Sequence, residues 1–165
     1  MDKNLIVTKI NKAIQGAVLE VRRFGRSDTC SIWVEAQSIQ KVAKILKTDP
    51  ELSLDWLENL SVVELSDALV ISYFLQSTQG TQSEVILRAS VVPDSPTSPV
   101  KMPTIQTIWP MGIPMEREAR EMFGIQFETS LQGDDPDVEF DFESSPSLCL
   151  PSGLSGFPLR KKFNK

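Results

Sequence analysis

Leu5, Ile6, Ile10, Ala13 and Ile14 recur at helical spacing until Gly16 breaks the pattern, which predicts a helix at the start of the chain. Ala17 to Phe24, rich in Val and Leu, reads as a strand, Gly25-Arg26-Ser27-Asp28 as a turn, and Thr29 to Val34 as the second strand of a hairpin. Ile39, Val42, Ala43 and Leu46 then mark the buried stripe of a second helix, with Lys41, Lys44 and Lys47 on its wet side. That helix must stop before Pro50, because proline disfavours the helical conformation of its predecessor. From Leu52 to Val92 the period falls to about two. Breaks at Ser66-Asp67 and at Thr78-Gln79-Gly80-Thr81 divide this stretch into a three-strand meander. The nearly unbroken apolar run Ala68 to Leu75 suits an inner strand, whereas the alternating Glu84-Val85-Ile86-Leu87-Arg88 suits one nearer an edge. The order helix, two strands, helix, three strands predicts a two-layer α+β domain over residues 1–92, with helices on one face of a mixed or antiparallel sheet.

Beyond Val92 the pattern changes, since ten of the eleven prolines lie there and regular sheet is expected to end. Residues 93–127 read as a proline-rich linker followed by a helix and strand packed on the domain, with a short helical turn from Thr104 to Trp109. The helix is expected from Ile113 to Phe123, with Pro114 in its first position, Glu116 and Glu118 in its first turn, and Gly124 closing it in the left-handed conformation. Glu116 with Arg120 and Arg117 with Glu121 are i,i+4 pairs on a charged face, opposite an apolar stripe of Met115, Ala119 and Met122. Residues 128–165 read as an extended tail. It is acidic at Asp134, Asp135, Asp137, Glu139, Asp141 and Glu143, then basic at Arg160, Lys161, Lys162 and Lys165.

A chain of 165 residues supports one good core plus an extension. Its 41% hydrophobic and 24% charged residues are those of a globular protein, and no apolar run approaches the roughly 20 residues that span a bilayer. The polar start Met1-Asp2-Lys3-Asn4 lacks the pattern of a secretory signal, so a cytoplasmic location is expected. A net charge of −5 opposes a nucleic-acid role. The absence of histidine removes the commonest general base, the commonest zinc ligand and the Ser-His and Cys-His nucleophile arrangements. Cys30 and Cys149 are too few for an iron–sulfur cluster, and Cys30 reads as a small buried thiol in a strand. No glycine run has dinucleotide or phosphate-loop spacing, so neither cofactor nor metal is expected. The acidic run can be read as a cation site, a solvated loop, or a segment docking on a basic partner surface. Pro136 and the lack of a turn glycine argue against the first. Glu116, Glu118 and Glu121 admit an acid/base reading, but each has an arginine near it in sequence and nothing marks a pocket.

The stretch Glu116-Arg117-Glu118-Ala119-Arg120-Glu121-Met122-Phe123-Gly124-Ile125-Gln126-Phe127 resembles the signature of the C-type subunits of the respiratory NADH-quinone oxidoreductase, complex I, a family with relatives in membrane-bound hydrogenases. Trp109-Pro110 and Gly156-Phe157-Pro158-Leu159-Arg160-Lys161-Lys162-Phe163 extend the resemblance, the last matching a Gly-His-Pro-Leu-Arg-Lys-Asp-Phe pattern. The chain departs from the family where Arg120 replaces an aromatic, Glu121 an aspartate and Phe157 a histidine. Residues 128–150 also replace the family's Gly-His-Pro and paired arginines. The resemblance implies a non-catalytic structural and assembly component of the peripheral arm, without a cofactor. It would meet the quinone-site (D-like) and iron–sulfur (B-like) subunits, and the membrane only indirectly. It places that interface at Glu116, Arg117, Glu118, Glu121, Met122, Phe123, Gly124, Phe127, Pro158, Leu159, Arg160 and Lys161. The alternatives are a hydrogenase-type component and a free-standing binding module, the latter as a homo-oligomer using its sheet edge and acidic tail.

Overall fold

In the computed structural model, residues 3–23, 29–79, 84–95, 97–128, 147–150 and 156–161 are described. The acidic residues 134–143, Phe24 and the basic residues Lys162 and Lys165 lie outside them. The chain forms α1 (Lys3–Ala13), β1 (Val18–Arg23), β2 (Cys30–Val34), a single 3-10 turn (Ala36–Ser38), and α2 (Ile39–Thr48). It continues as β3 (Trp56–Leu65), β4 (Ala68–Gln76), β5 (Glu84–Val91), β6 (Val100–Pro103), α3 (Gly112–Phe123) and β7 (Ile125–Glu128). The α+β architecture is the expected one. All four apolar stripe residues of α2 are fully buried, and α2 ends at Thr48, short of Pro50. On α1, Ile6 and Ile10 enter the core, but Ala13 is exposed because the helix ends there and Ile14 turns back with Ala17 instead.

The strands assemble in the order β1-β2-β5-β4-β3. The hairpin and the meander are as expected; the position of β5 is not. It lies at the centre of the sheet, antiparallel to β4 and parallel to β2, with Cys30 opposite Val85 and Trp33 opposite Arg88. The alternation in Glu84–Arg88 has a different cause from an edge. One row across the sheet, Val21, Ile32, Leu87, Tyr73 and Leu60, faces the helices. The adjacent row, Glu20, Trp33, Arg88, Ser72 and Ser61, faces the other way and is mostly polar. A strand with one helix-covered face can therefore alternate at the centre of a sheet as well as at its edge.

Two further expectations need correction. Leu52 and Leu54 are buried but belong to the turn that follows α2, where the Leu54 N–H donates to the Leu46 carbonyl, and β3 starts only at Trp56. Regular sheet also continues beyond Val92: β6 pairs in parallel with β7 as a separate two-stranded sheet, Val100 opposite Ile125 and Pro103 opposite Glu128. Val100, Met102 and Ile125 carry this small sheet into the main core, so α3, which lies between its strands in sequence, is fixed at both ends.

Candidate functional site

The twelve-residue helix α3 begins one residue earlier than its pattern predicts, which puts Pro114 in the third helical position rather than the first. Proline is harmless there, since first-turn N–H groups have no intrahelical acceptor. No acidic residue lies in the first turn; Glu116 and Glu118 come later. The buried positions are Gly112, Glu116 and Ala119, with Met115 and Phe123 packed beside them, so the stripe is rotated and Met122 is only half-buried. Gly112 faces β3, where an added Cβ would lie in ordinary van der Waals contact, 3.4 Å from a Leu57 methyl group.

Rotation of the stripe carries Glu116 into the interior. Instead of pairing with Arg120 on a wet face, its carboxylate is fully buried and accepts from Thr104 Oγ1 at 2.6 Å, the Ile105 N–H at 2.9 Å and Gln106 Nε2 at 2.9 Å. The Gln106 N–H in turn donates to Thr104 Oγ1 at 3.1 Å. Burial pushes the Glu116 carboxyl up to about 7, against the pull of these three donors, which favour the ionised form. Tyr73 of β4 is fully buried and its hydroxyl is pushed well above the usual tyrosine range, first by burial and then by the Glu116 charge. Among the described residues the Tyr73 hydroxyl has no hydrogen-bond partner. A buried polar atom left unsatisfied costs roughly 1–3 kcal/mol, so Tyr73→Phe is expected to leave stability unchanged or raise it by about 1 kcal/mol. Urea denaturation midpoints check this, and a loss exceeding about 1 kcal/mol would contradict it.

The other face of α3 receives two returning segments of the tail. Glu121 accepts from the N–H groups of Leu148 and Cys149, each at 2.7 Å, and from the Ser147 hydroxyl at 2.9 Å, with Arg117 Nε at 3.5 Å. Burial alone would raise the Glu121 carboxyl, but these N–H groups, the hydroxyl and Arg117 together hold it below the ordinary value. Gly124 closes the helix with φ 69°, and its N–H donates to the Arg120 carbonyl at 2.8 Å. A side chain at this position would collide with the Phe157 ring, whose edge occupies the space an ideal Cβ would need. Next to it the Leu159 N–H donates to the Met122 carbonyl at 3.1 Å, and Arg160 Nε donates to the Phe123 carbonyl at 2.8 Å. The Arg160 guanidinium lies 5.0 Å from the centre of the Phe157 ring, and the Lys161 N–H reaches a Glu64 carboxylate oxygen of β3 at 2.6 Å.

The two sequence motifs therefore meet within one chain. Glu116, Gly124 and Arg160 are buried, Arg117, Glu121, Met122, Phe123, Phe127 and Pro158 are half-buried, and Glu118, Leu159 and Lys161 are exposed. Reading the sequence missed Thr104, Gln106, Tyr73, Glu64 and Ser147. Thr104 and Gln106 had a signal: with Thr107 they are the polar residues of the mostly apolar run from Met102 to Trp109. Among the described residues no cluster of acidic and thiol groups is placed to hold a metal ion, and the two cysteines form no disulfide, Cys30 being buried and Cys149 exposed. No described helix is long and apolar enough to cross a membrane.

Comparison with known proteins gives a consistent picture. A family model described as respiratory-chain NADH dehydrogenase, 30 Kd subunit, matches residues 32–165. The NADH-quinone oxidoreductase C-type subunit of Roseiflexus sp. (strain RS-1) is 29% identical over 98% of this chain and 83% of its own length. Its counterpart in Roseiflexus castenholzii is 28% identical over the same shares. The fold is similar to that of a chain in the membrane-bound sulfane sulfur reductase, an archaeal respiratory membrane complex, with TM-score 0.61, 19% identity, and coverage of 85% of this chain and 78% of that one. It is also similar to the trypsin-resistant fragment (1-134) of Nqo5, with TM-score 0.58, 16% identity, and coverage of 78% and 96%. The curated relatives thus favour the oxidoreductase component over the hydrogenase-type alternative, and the chain belongs to the respiratory-chain NADH dehydrogenase 30 Kd subunit family.

Proposed function

We propose that this chain is a non-catalytic docking and assembly component in the peripheral arm of an NADH-quinone oxidoreductase. The whole complex passes electrons from NADH to quinone and couples this to proton translocation. The chain docks on the quinone-site subunit next to the iron–sulfur subunit, on the cytoplasmic side, and reaches the membrane only through them. The observation that carries this reading is the fate of its carboxylates: Glu116 is enclosed by its own chain, and Glu121 is spent on its own tail. What they build is a shaped surface rather than a reactive one. Glu118, Leu159 and Lys161, with the half-buried Arg117, Met122 and Phe127, are the residues through which a neighbour is met; Glu116, Gly124 and Arg160 support them from beneath. Affinity capture of the tagged chain from its native membranes, at low and moderate salt with partners identified by mass, tests the reading. Recovery of the quinone-site and iron–sulfur subunits is expected, and recovery of the tagged chain alone would overturn it.

A further inference from the structure

The segment 156–161 divides its residues by direction. Arg160 is buried and Phe157 half-buried against the end of α3, whereas Leu159 and Lys161 point outward. Its grip uses the ring of Phe157 over Gly124, the Leu159 N–H, the Arg160 guanidinium and the Lys161 backbone N–H, leaving the Lys161 side chain exposed. The inward residues therefore fix where the outward ones stand. The segment also has a joint: Gly156 adopts φ 94°, a conformation side-chain-bearing residues rarely take, and Pro158 fixes its own φ in the middle. The grip completes the end of α3. Arg160 brings a cation to the negative end of the helix dipole and donates to a last-turn carbonyl that the helix leaves unsatisfied. Burial draws its guanidinium below the usual arginine range, and the Glu64 charge offsets part of that effect.

We propose that residues 156–161 are a strap whose seating on the C-terminal turn of α3 assembles the docking surface, so that the neighbouring subunit binds the closed form and holds it closed. This rests on the docking function proposed for the chain. Because only the closed fraction is competent, opening the strap lowers the apparent affinity by that fraction, and bound partner closes the strap in return. Gly124 is the position through which closure can be broken selectively. The left-handed strain of a Gly124→Ala substitution is present whether the strap is open or closed, but the collision with Phe157 exists only when it is closed.

The test uses the full chain, its Gly124→Ala and Phe157→Ala variants and the double variant. Tryptic cleavage after Arg160 in the native state reports opening, thermal melting reports folding, and titration with the co-expressed quinone-site subunit reports docking. Each single variant is expected to leave the strap mostly open, so that cleavage rises by about tenfold or more to the plateau of a fully open segment. Affinity falls by the factor by which the closed fraction falls, about tenfold when roughly nine-tenths of the chains are open. The double variant should be no more open than Gly124→Ala alone, since both act through one contact. Phe157→Ala carries no backbone strain and keeps the test valid should Gly124→Ala fail to fold. Unchanged cleavage in Phe157→Ala would show that there is no strap, and cleavage at the plateau of a fully open segment with unchanged docking would show that the strap does not shape the surface. Either result overturns the proposal while leaving the docking function intact. Wild-type chain that fails to bind the quinone-site subunit overturns both.

Discussion

Replacing Glu116 with glutamine should flatten the pH dependence of folding between about pH 4.5 and 7. In the wild-type chain burial raises the folded carboxyl to about 7 from an ordinary value of 4.5. A raised value means that the folded state binds the proton more tightly than the unfolded one. The corresponding stability is fully present below the unfolded value and is lost as pH rises through the folded one. A shift of this size corresponds to something on the order of 3 kcal/mol across the window. Tyr73 faces the same site but stays neutral throughout, its hydroxyl lying well above the usual range. Urea midpoints of wild type and Glu116→Gln at pH 5 and pH 8 give the answer, because other titrating groups cancel in the difference. Parallel profiles would disprove the assignment. Glu116→Ala should be far worse at neutral pH, about 4 kcal/mol, because it leaves three buried donors from Thr104, Ile105 and Gln106 facing a hole. With total stabilities of roughly 5–15 kcal/mol, that variant is expected at the margin of folding.

Trp109→Ala is the second large expected effect. The indole is almost fully buried, and its Nε1–H donates to the Leu54 carbonyl at 3.1 Å, tying the single turn after β6 to the chain leaving α2. Lys47 of α2 donates to the neighbouring Ile108 carbonyl, so the same turn is held from two sides. Loss of a buried tryptophan costs about 3–5 kcal/mol through lost burial and residual cavity. At about 2–4 °C per kcal/mol for a chain of this size, the thermal midpoint should fall by roughly 10 °C. Trp109→Phe should retain most of the burial and lose only the hydrogen bond, about 1 kcal/mol. A fall of less than about 3 °C for Trp109→Ala, measured by calorimetry, would show that the turn is not a structural tie.

The fold was legible where the physics is local. The α2 stripe, the Ser66-Asp67 turn and the Gly124 stop each depend on residues a few positions apart, and each stands where the pattern places it. The central position of β5 was not legible, because it is set by pairing with residues 30–33 and alternation reports a covered face rather than an edge. Glu116 failed for a related reason. Its i,i+4 spacing to Arg120 is a correct statement about a helix surface, but which side of α3 becomes the surface was decided by donors at residues 104–106. The contact between the two motifs was equally hidden. Their residue types mark each as unusual, but only the position of Phe157 over Gly124 shows that they belong together.

The parallel pairing of β2 with β5 also sets an order of events during folding. β3, β4 and β5 join through short connections, so their ladders close cheaply, whereas Cys30 must find Val85 across two other strands and a helix. In a chain made from its N-terminus, the β1–β2 hairpin exists long before its central partner has been synthesised. Throughout that interval one edge of β2, with Ile32 and Val34 on its apolar side, is an open template for pairing with other chains. Early docking of α1 and α2 on that side covers the apolar surface but cannot satisfy the edge. The stretch of synthesis between β2 and β5 is therefore when this protein is most exposed to misassembly.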